Sequence, residues 1–169
     1  MTTLHRTLIG LLVAAVFYAC GATSERATTT ASAKVGDELR LKTGSSSDTP
    51  NQPIAVTVTQ VVDPAESEGI APDFRLVAVQ LRYVNRGSGI YSDSVFNEVK
   101  LFDQHGRGFT FSVIGTVAGP NFPGGSVRLA PGETARDFVG FSVPTGSTIV
   151  KVRVTLDSGY GGSGDWTVT

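Results

Sequence analysis

The sequence predicts an all-β protein, an antiparallel sandwich of two packed sheets, and three observations carry that reading. Apolar and polar residues alternate with period two along most of the chain beyond Val35, the mark of strands with one face buried and one in water. Glycine and proline, 20 and 8 of the 169 residues, punctuate the gaps between the alternating runs, where turns need them. No stretch beyond Val35 keeps a helical period over the roughly ten residues a helix needs.

Taken in order, the chain opens on residues 7–20, TLIGLLVAAVFYAC, an apolar run that starts after Arg6 and ends at the only cysteine. At about 13 residues it is too short to cross a hydrocarbon core, which needs roughly 20. A weakly basic start (Met1, His5, Arg6), a short apolar middle and a small-residue exit make residues 1–19 a secretory signal. Phe17, Tyr18, Ala19 and Cys20 resemble the bacterial lipobox, with Phe17 and Tyr18 where that pattern prefers Leu and a small residue. The resemblance implies that Cys20 receives a diacylglyceryl group and becomes the new N-terminus. Two acyl chains hold a protein stably where one gives only marginal binding. Lipidation also accounts for a lone cysteine in an exported chain. The expected location is therefore the extracytoplasmic face of the cell membrane. The alternative is a secreted product, cut by an ordinary signal peptidase near Ala22.

Residues 20–34 read as the lipidated cysteine and a flexible tether, because residues 21–34 are rich in Thr, Ser and Ala and show no apolar periodicity. The domain then occupies residues 35–169, a size that holds a core without disulfides or metals. Leu39 and Leu41 alternate with Arg40 and Lys42. Ile54, Val56 and Val58 alternate with Ala55, Thr57 and Thr59. Residues 73–85 form the longest run, with Val77, Val79, Leu81 and Tyr83 on one face, and are the expected central strand. Residues 99–102, 109–113, 127–129, 136–143, 150–156 and 166–168 complete about nine strands, a number that fits an immunoglobulin-like sandwich.

Residues 79–85, the stretch Leu101, Phe102, Asp103 followed by Gly106 to Phe109, and LAPGETARDFVGFSVP at 129–144 resemble a domain of unknown function. That domain is carried by lipoproteins of actinobacteria and other Gram-positive bacteria, and is similar to the secreted mycobacterial immunoprotective antigen fold. The resemblance covers roughly residues 35–169. It implies an immunoglobulin-like sandwich outside the cytoplasm and brings no catalytic residues.

If successive strands run antiparallel, connections fall alternately at the two ends of the sandwich. One end then collects residues 43–53, 87–97, 114–126 and 144–148; the other collects 63–72, 103–108, 131–134 and 157–164. The tether joins the second end, so the first faces away from the membrane. That distal end carries Ile90, Tyr91, Phe96, Val117 and Phe122 among Gly, Ser and Asn, and aromatic loops on a rigid scaffold make a recognition surface. Tyr91, Phe96 and Phe122 are the candidate binding residues, with Tyr91 expected to be exposed beside Ser92 and Asp93. The competing reading folds Phe96 and Phe122 inward as a plug.

The proximal loops carry Asp63, Glu66, Glu68, Asp73, Asp103, Glu133, Asp157 and Asp165. Calcium takes about six to eight oxygen ligands, but the spacing matches no calcium loop, and a solvated acidic rim is the simpler reading. No metal or cofactor is expected. His5 leaves with the signal, so His105, in the turn sequence DQHGRG, is the sole mature histidine, and His-rich zinc sites and Cys–His nucleophiles are excluded. GYGGSGD at 159–165 has no following helix to hold phosphate and reads as a loop. The net charge of -1 with scattered Lys and Arg leaves no footprint for nucleic acid. The sequence thus points to a tethered, non-catalytic binding or interaction module at the cell envelope, its partner an unidentified envelope protein or ligand. A carboxylate-dependent metal protein or hydrolase and a structural, antigen-like role are the alternatives.

Overall fold

The alternating runs become strands whose apolar faces meet across a single core. A computed structural model describes residues 30–45 and 47–169; the leader, Cys20 and most of the expected tether lie outside the described residues. Among those described there are eleven strands: β1 (Ala31–Lys34), β2 (Glu38–Lys42), β3 (Pro53–Ala65), β4 (Phe74–Asn85), β5 (Tyr91–Ser94), β6 (Val99–Asp103), β7 (Gly108–Phe109), β8 (Ser126–Leu129), β9 (Thr134–Pro144), β10 (Ile149–Thr155) and β11 (Ser163–Thr167). One sheet has the order β2-β3-β4-β9 and the other β1-β11-β10-β6-β7, with β5 and β8 paired as a separate ribbon. The all-β antiparallel sandwich stands, with more strands than expected.

β4 is interior to its sheet, paired along its length with β3 and β9, because its inward residues are its largest apolar ones. Val77, Val79, Leu81 and Tyr83 are buried with Ile54, Val56 and Val58 of β3 and Val139, Phe141 and Val143 of β9. The opposite sheet contributes Leu101, Val152, Val154 and Trp166. Trp166 is core, and its indole N–H donates to the Asp37 carbonyl at 2.9 Å, which satisfies its one polar atom.

Several sequence expectations are corrected. Residues 31–34 are not tether: they form β1, which pairs in parallel with β11, Ala31 opposite Gly164 and Lys34 opposite Thr167. Four residues of alternating Ala with Ser and Lys are too short and too weakly apolar to stand out from a linker. Of the stretch 109–113 only Phe109 is strand, forming β7 together with Gly108. The loop 159–165 surrenders Ser163, Gly164 and Asp165 to β11.

The parity of the ends changes too. Thr134 lies opposite Val84, and Phe74 opposite Pro144, so the 131–134 turn joins the 43–53 and 86–90 loops at one end, and the 144–148 turn joins the 63–73 loop at the other. Gly44 N–H donates to the Asp157 carboxylate, which brings the 156–162 turn to the first end. Val117 N–H reaches the Glu66 carbonyl, which carries the 112–121 stretch to the second. The alternation fails because β5 runs on through a single helical turn, Val95–Glu98, into a strand of the other sheet without adding a reversal. β1 also begins at the first end, beside Gly164. The chain therefore enters the domain at the end that the parity count had turned away from the membrane.

Candidate functional site

Tyr91 is not exposed. It is 1% accessible, because β5 lies inside the rim and turns the ring onto Tyr83, with centroids 6.3 Å apart. Phe122 is 4% accessible and meets the Tyr83 ring edge-on at 5.9 Å. Phe96 is half-buried and stacks flat on Phe111 at 4.2 Å and 3°. All three candidates are thus packing residues of the core or its margin. Aromatic rings gain more from burial among the core residues than from water.

Behind them is a polar cluster that no sequence pattern announced. Glu98 is fully buried at the end of the single helical turn. The Tyr83 hydroxyl donates to its Oε2 at 2.7 Å, and the Tyr91 hydroxyl donates to Oε1. Burial, with the nearby Asp93 carboxylate adding to it, pushes the Glu98 carboxyl well above the usual carboxylate range. Burial would also raise Asp93, but hydrogen bonds from Glu98, the Ser158 hydroxyl and the backbone N–H groups of Ser94 and Ser158 overcome it and hold Asp93 low. Ser158 donates to Asp93 through Oγ at 2.8 Å and N–H at 3.0 Å. The two carboxyls are thereby pushed apart, Glu98 toward the neutral acid and Asp93 toward the charged acceptor, and both tyrosines are held as phenols by burial. Nothing in the sequence marks this site: Glu98, between Asn97 and Val99, reads as a solvent-facing residue.

The acidic residues expected together are divided. Glu133 and Asp157 belong to the end where the chain enters, Asp63, Glu66, Glu68, Asp73 and Asp103 to the opposite one, and Asp165 sits within β11. Several have cationic or backbone partners. Arg75 is bidentate on Asp63, Arg107 donates to Asp103 at 2.7 Å, and Arg153 and Lys151 hold Asp165. Among the described residues no group of three His, Cys, Asp or Glu gathers in a metal-binding arrangement. His105 is exposed in its turn.

The opposite end has its own surface. The outward face of β4 is not polar throughout: Leu76 and Ala78 form a small second core with Phe138, Ala65, Ile70 and Ile114. The 112–121 stretch covers it, its Ser112 N–H donating to the Gly140 carbonyl. A side chain at Gly140 would stand 2.7 Å from the Ile114 carbonyl, so glycine permits the close crossing. Beside this cover lies a groove of about 520 Å³ lined by Ala65, Glu66, Glu68, Ile70, Leu76 and Val117. Val113 and Val117 project to solvent, 86% and 68% accessible.

No family model matches this chain, and no curated protein matches its sequence. Solved structures do share the fold. MPT63, a secreted protein from Mycobacterium tuberculosis, superposes with a TM-score of 0.60 at 15% identity, over 83% of this chain and 98% of that one. The yjhA protein from Bacillus subtilis gives a TM-score of 0.53 at 11% identity, over 79% and 98%. Identities this low extend to the fold alone, a β-sandwich.

Proposed function

We propose that this chain is an exported lipoprotein, anchored through Cys20 at the extracytoplasmic face of the cell membrane, whose sandwich is a non-catalytic binding or interaction module. The observation that carries it is the short apolar leader ending at a lone cysteine ahead of a stably built sandwich. MPT63, of similar fold, is itself a secreted protein. The chain enters at one end, so the opposite end is the free one, and its binding surface is the groove bordered by Ile70, Leu76 and Val117. Exposed valines beside a partly apolar groove suit an apolar segment of an envelope partner. Carboxylate chemistry is less favoured because the acids are dispersed and several are engaged by arginines.

Metabolic labelling with a fatty acid tests the anchor: the wild type takes up label and Cys20→Ser does not, whereas equal labelling overturns it. Site-specific photo-crosslinking in cells tests the surface. A crosslinker at position 117 is expected to yield an adduct that Val113→Asp diminishes. Absence of any adduct at 117, or an adduct indifferent to Val113→Asp, overturns the assignment of the groove.

A further inference from the structure

Two large apolar side chains are exposed at the end where the chain enters, and nothing among the described residues covers them. Tyr160 is 84% accessible and Ile90 is 47% accessible. Both border the 43–52 loop: the Thr49 hydroxyl donates to the Ile90 carbonyl at 3.4 Å, and a side chain at Gly44 would stand 2.8 Å from the Tyr160 carbonyl. The turn that presents Tyr160 is unusual. Asp157, Ser158 and Gly159 are three successive residues with positive φ, at 53°, 52° and 102°, a conformation costly for the first two. It is over-determined by Asp93 gripping Ser158 and by Asp157 gripping the Gly44 N–H. The turn is held in place by the buried Leu156 and by these hydrogen bonds, and the Tyr160 side chain that it presents is left in water.

From these observations we infer that this end rests on the lipid bilayer, with Tyr160 and Ile90 seated at the headgroup level. The inference rests on the lipid anchor proposed above. The length of chain outside the domain then decides which end meets the membrane. Residues 21–30 span at most about 35 Å when fully extended, and on the order of 20 Å as a coil. The 13-residue β3 makes the sandwich about 40 Å long, so the opposite end could meet the bilayer only with the segment from Cys20 to Ala31 pulled nearly straight. β1 starts beside Gly164, one turn away from Tyr160, and the lipid is thus held close to that face. One tyrosine and one isoleucine would not retain a free domain on a bilayer. They suffice to orient one whose anchor already keeps it at millimolar effective concentration. Tyrosine suits the position because its ring is apolar and its hydroxyl stays wet, the property that concentrates it at membrane interfaces.

The test uses the full chain, lipidated in cells and reconstituted into vesicles of phosphatidylethanolamine and phosphatidylglycerol with or without brominated acyl chains. Trp166, the only tryptophan, is wholly buried and gives a constant background. In Tyr160→Trp the added emission is expected to fall about twofold with brominated lipid, whereas in Val113→Trp, at the far end, it is unchanged. Ile90→Ser combined with Tyr160→Trp is expected to lessen the quenching. Fatty-acid incorporation is read on the same samples. Chain without lipid overturns the anchor, and this inference with it. Lipidated chain with equal quenching at 113 and 160, or with none at 160, overturns the orientation and leaves the anchor standing.

Discussion

Replacing Glu98 by glutamine isolates the buried carboxyl that the fold pushes toward its neutral form. The side chain is fully buried between the Tyr83 and Tyr91 hydroxyls, with Asp93 beside it. Glutamine keeps the shape, one carbonyl acceptor and a donor toward Asp93, but its amide nitrogen cannot accept a tyrosine proton. One buried hydroxyl loses its partner, at a cost of about 1–3 kcal/mol. Glu98→Ala orphans both hydroxyls and leaves a cavity, so about 3–6 kcal/mol is expected, a large part of the stability of an ordinary domain. The pH dependence has a definite sign. The folded Glu98 carboxyl is raised above its unfolded value, near about 4.3, so its stabilisation is complete below that value and is lost as pH rises through the folded one. Asp93 is held low, so its contribution fades only in more acid solution, below this window. Urea unfolding at about pH 5 and pH 7.5 is the assay, with a slope of at most about 1.4 kcal/mol per pH unit expected from one group. The wild type should be favoured over Glu98→Gln more strongly at the lower pH. A gap that is the same at both, or that widens toward high pH, means that Glu98 is charged in the fold and refutes the assignment of a neutral acid.

Two further expectations concern the architecture. A chain lacking residues 1–34 removes β1 and bares the edge of β11 over Trp166; with four ladder positions lost, its urea midpoint should fall by the equivalent of about 2–4 kcal/mol against a chain that begins at Thr30, and an unchanged midpoint would return those residues to the tether. Gly124 and Gly125 both have positive φ, but only at Gly125 would a side chain collide, with the Phe96 ring at 2.1 Å. Gly124→Ala should cost about 1–2 kcal/mol, and Gly125→Ala clearly more, because it must also break the Phe96–Phe111 stack; thermal melting of the pair distinguishes them.

The alternating pattern made the sandwich legible because period two has one physical meaning in a half-buried strand, and Val77, Val79, Leu81 and Tyr83 face the core as their spacing requires. What periodicity cannot carry is direction. Whether a loop lies at one end or the other depends on a crossing between sheets, and the turn at Val95–Glu98 that sets it is four residues long. The same blindness hid β1, whose pairing partner β11 lies at the other end of the chain. It also hid the burial of Tyr91 and Glu98, which flanking Ser, Asp and Asn made look like a solvated loop. The residues fixed which faces are apolar, since that is a local property of the chain; only tertiary pairing decided which end receives the N-terminal segment and which carboxyl loses its water, since both depend on contacts between residues far apart in sequence.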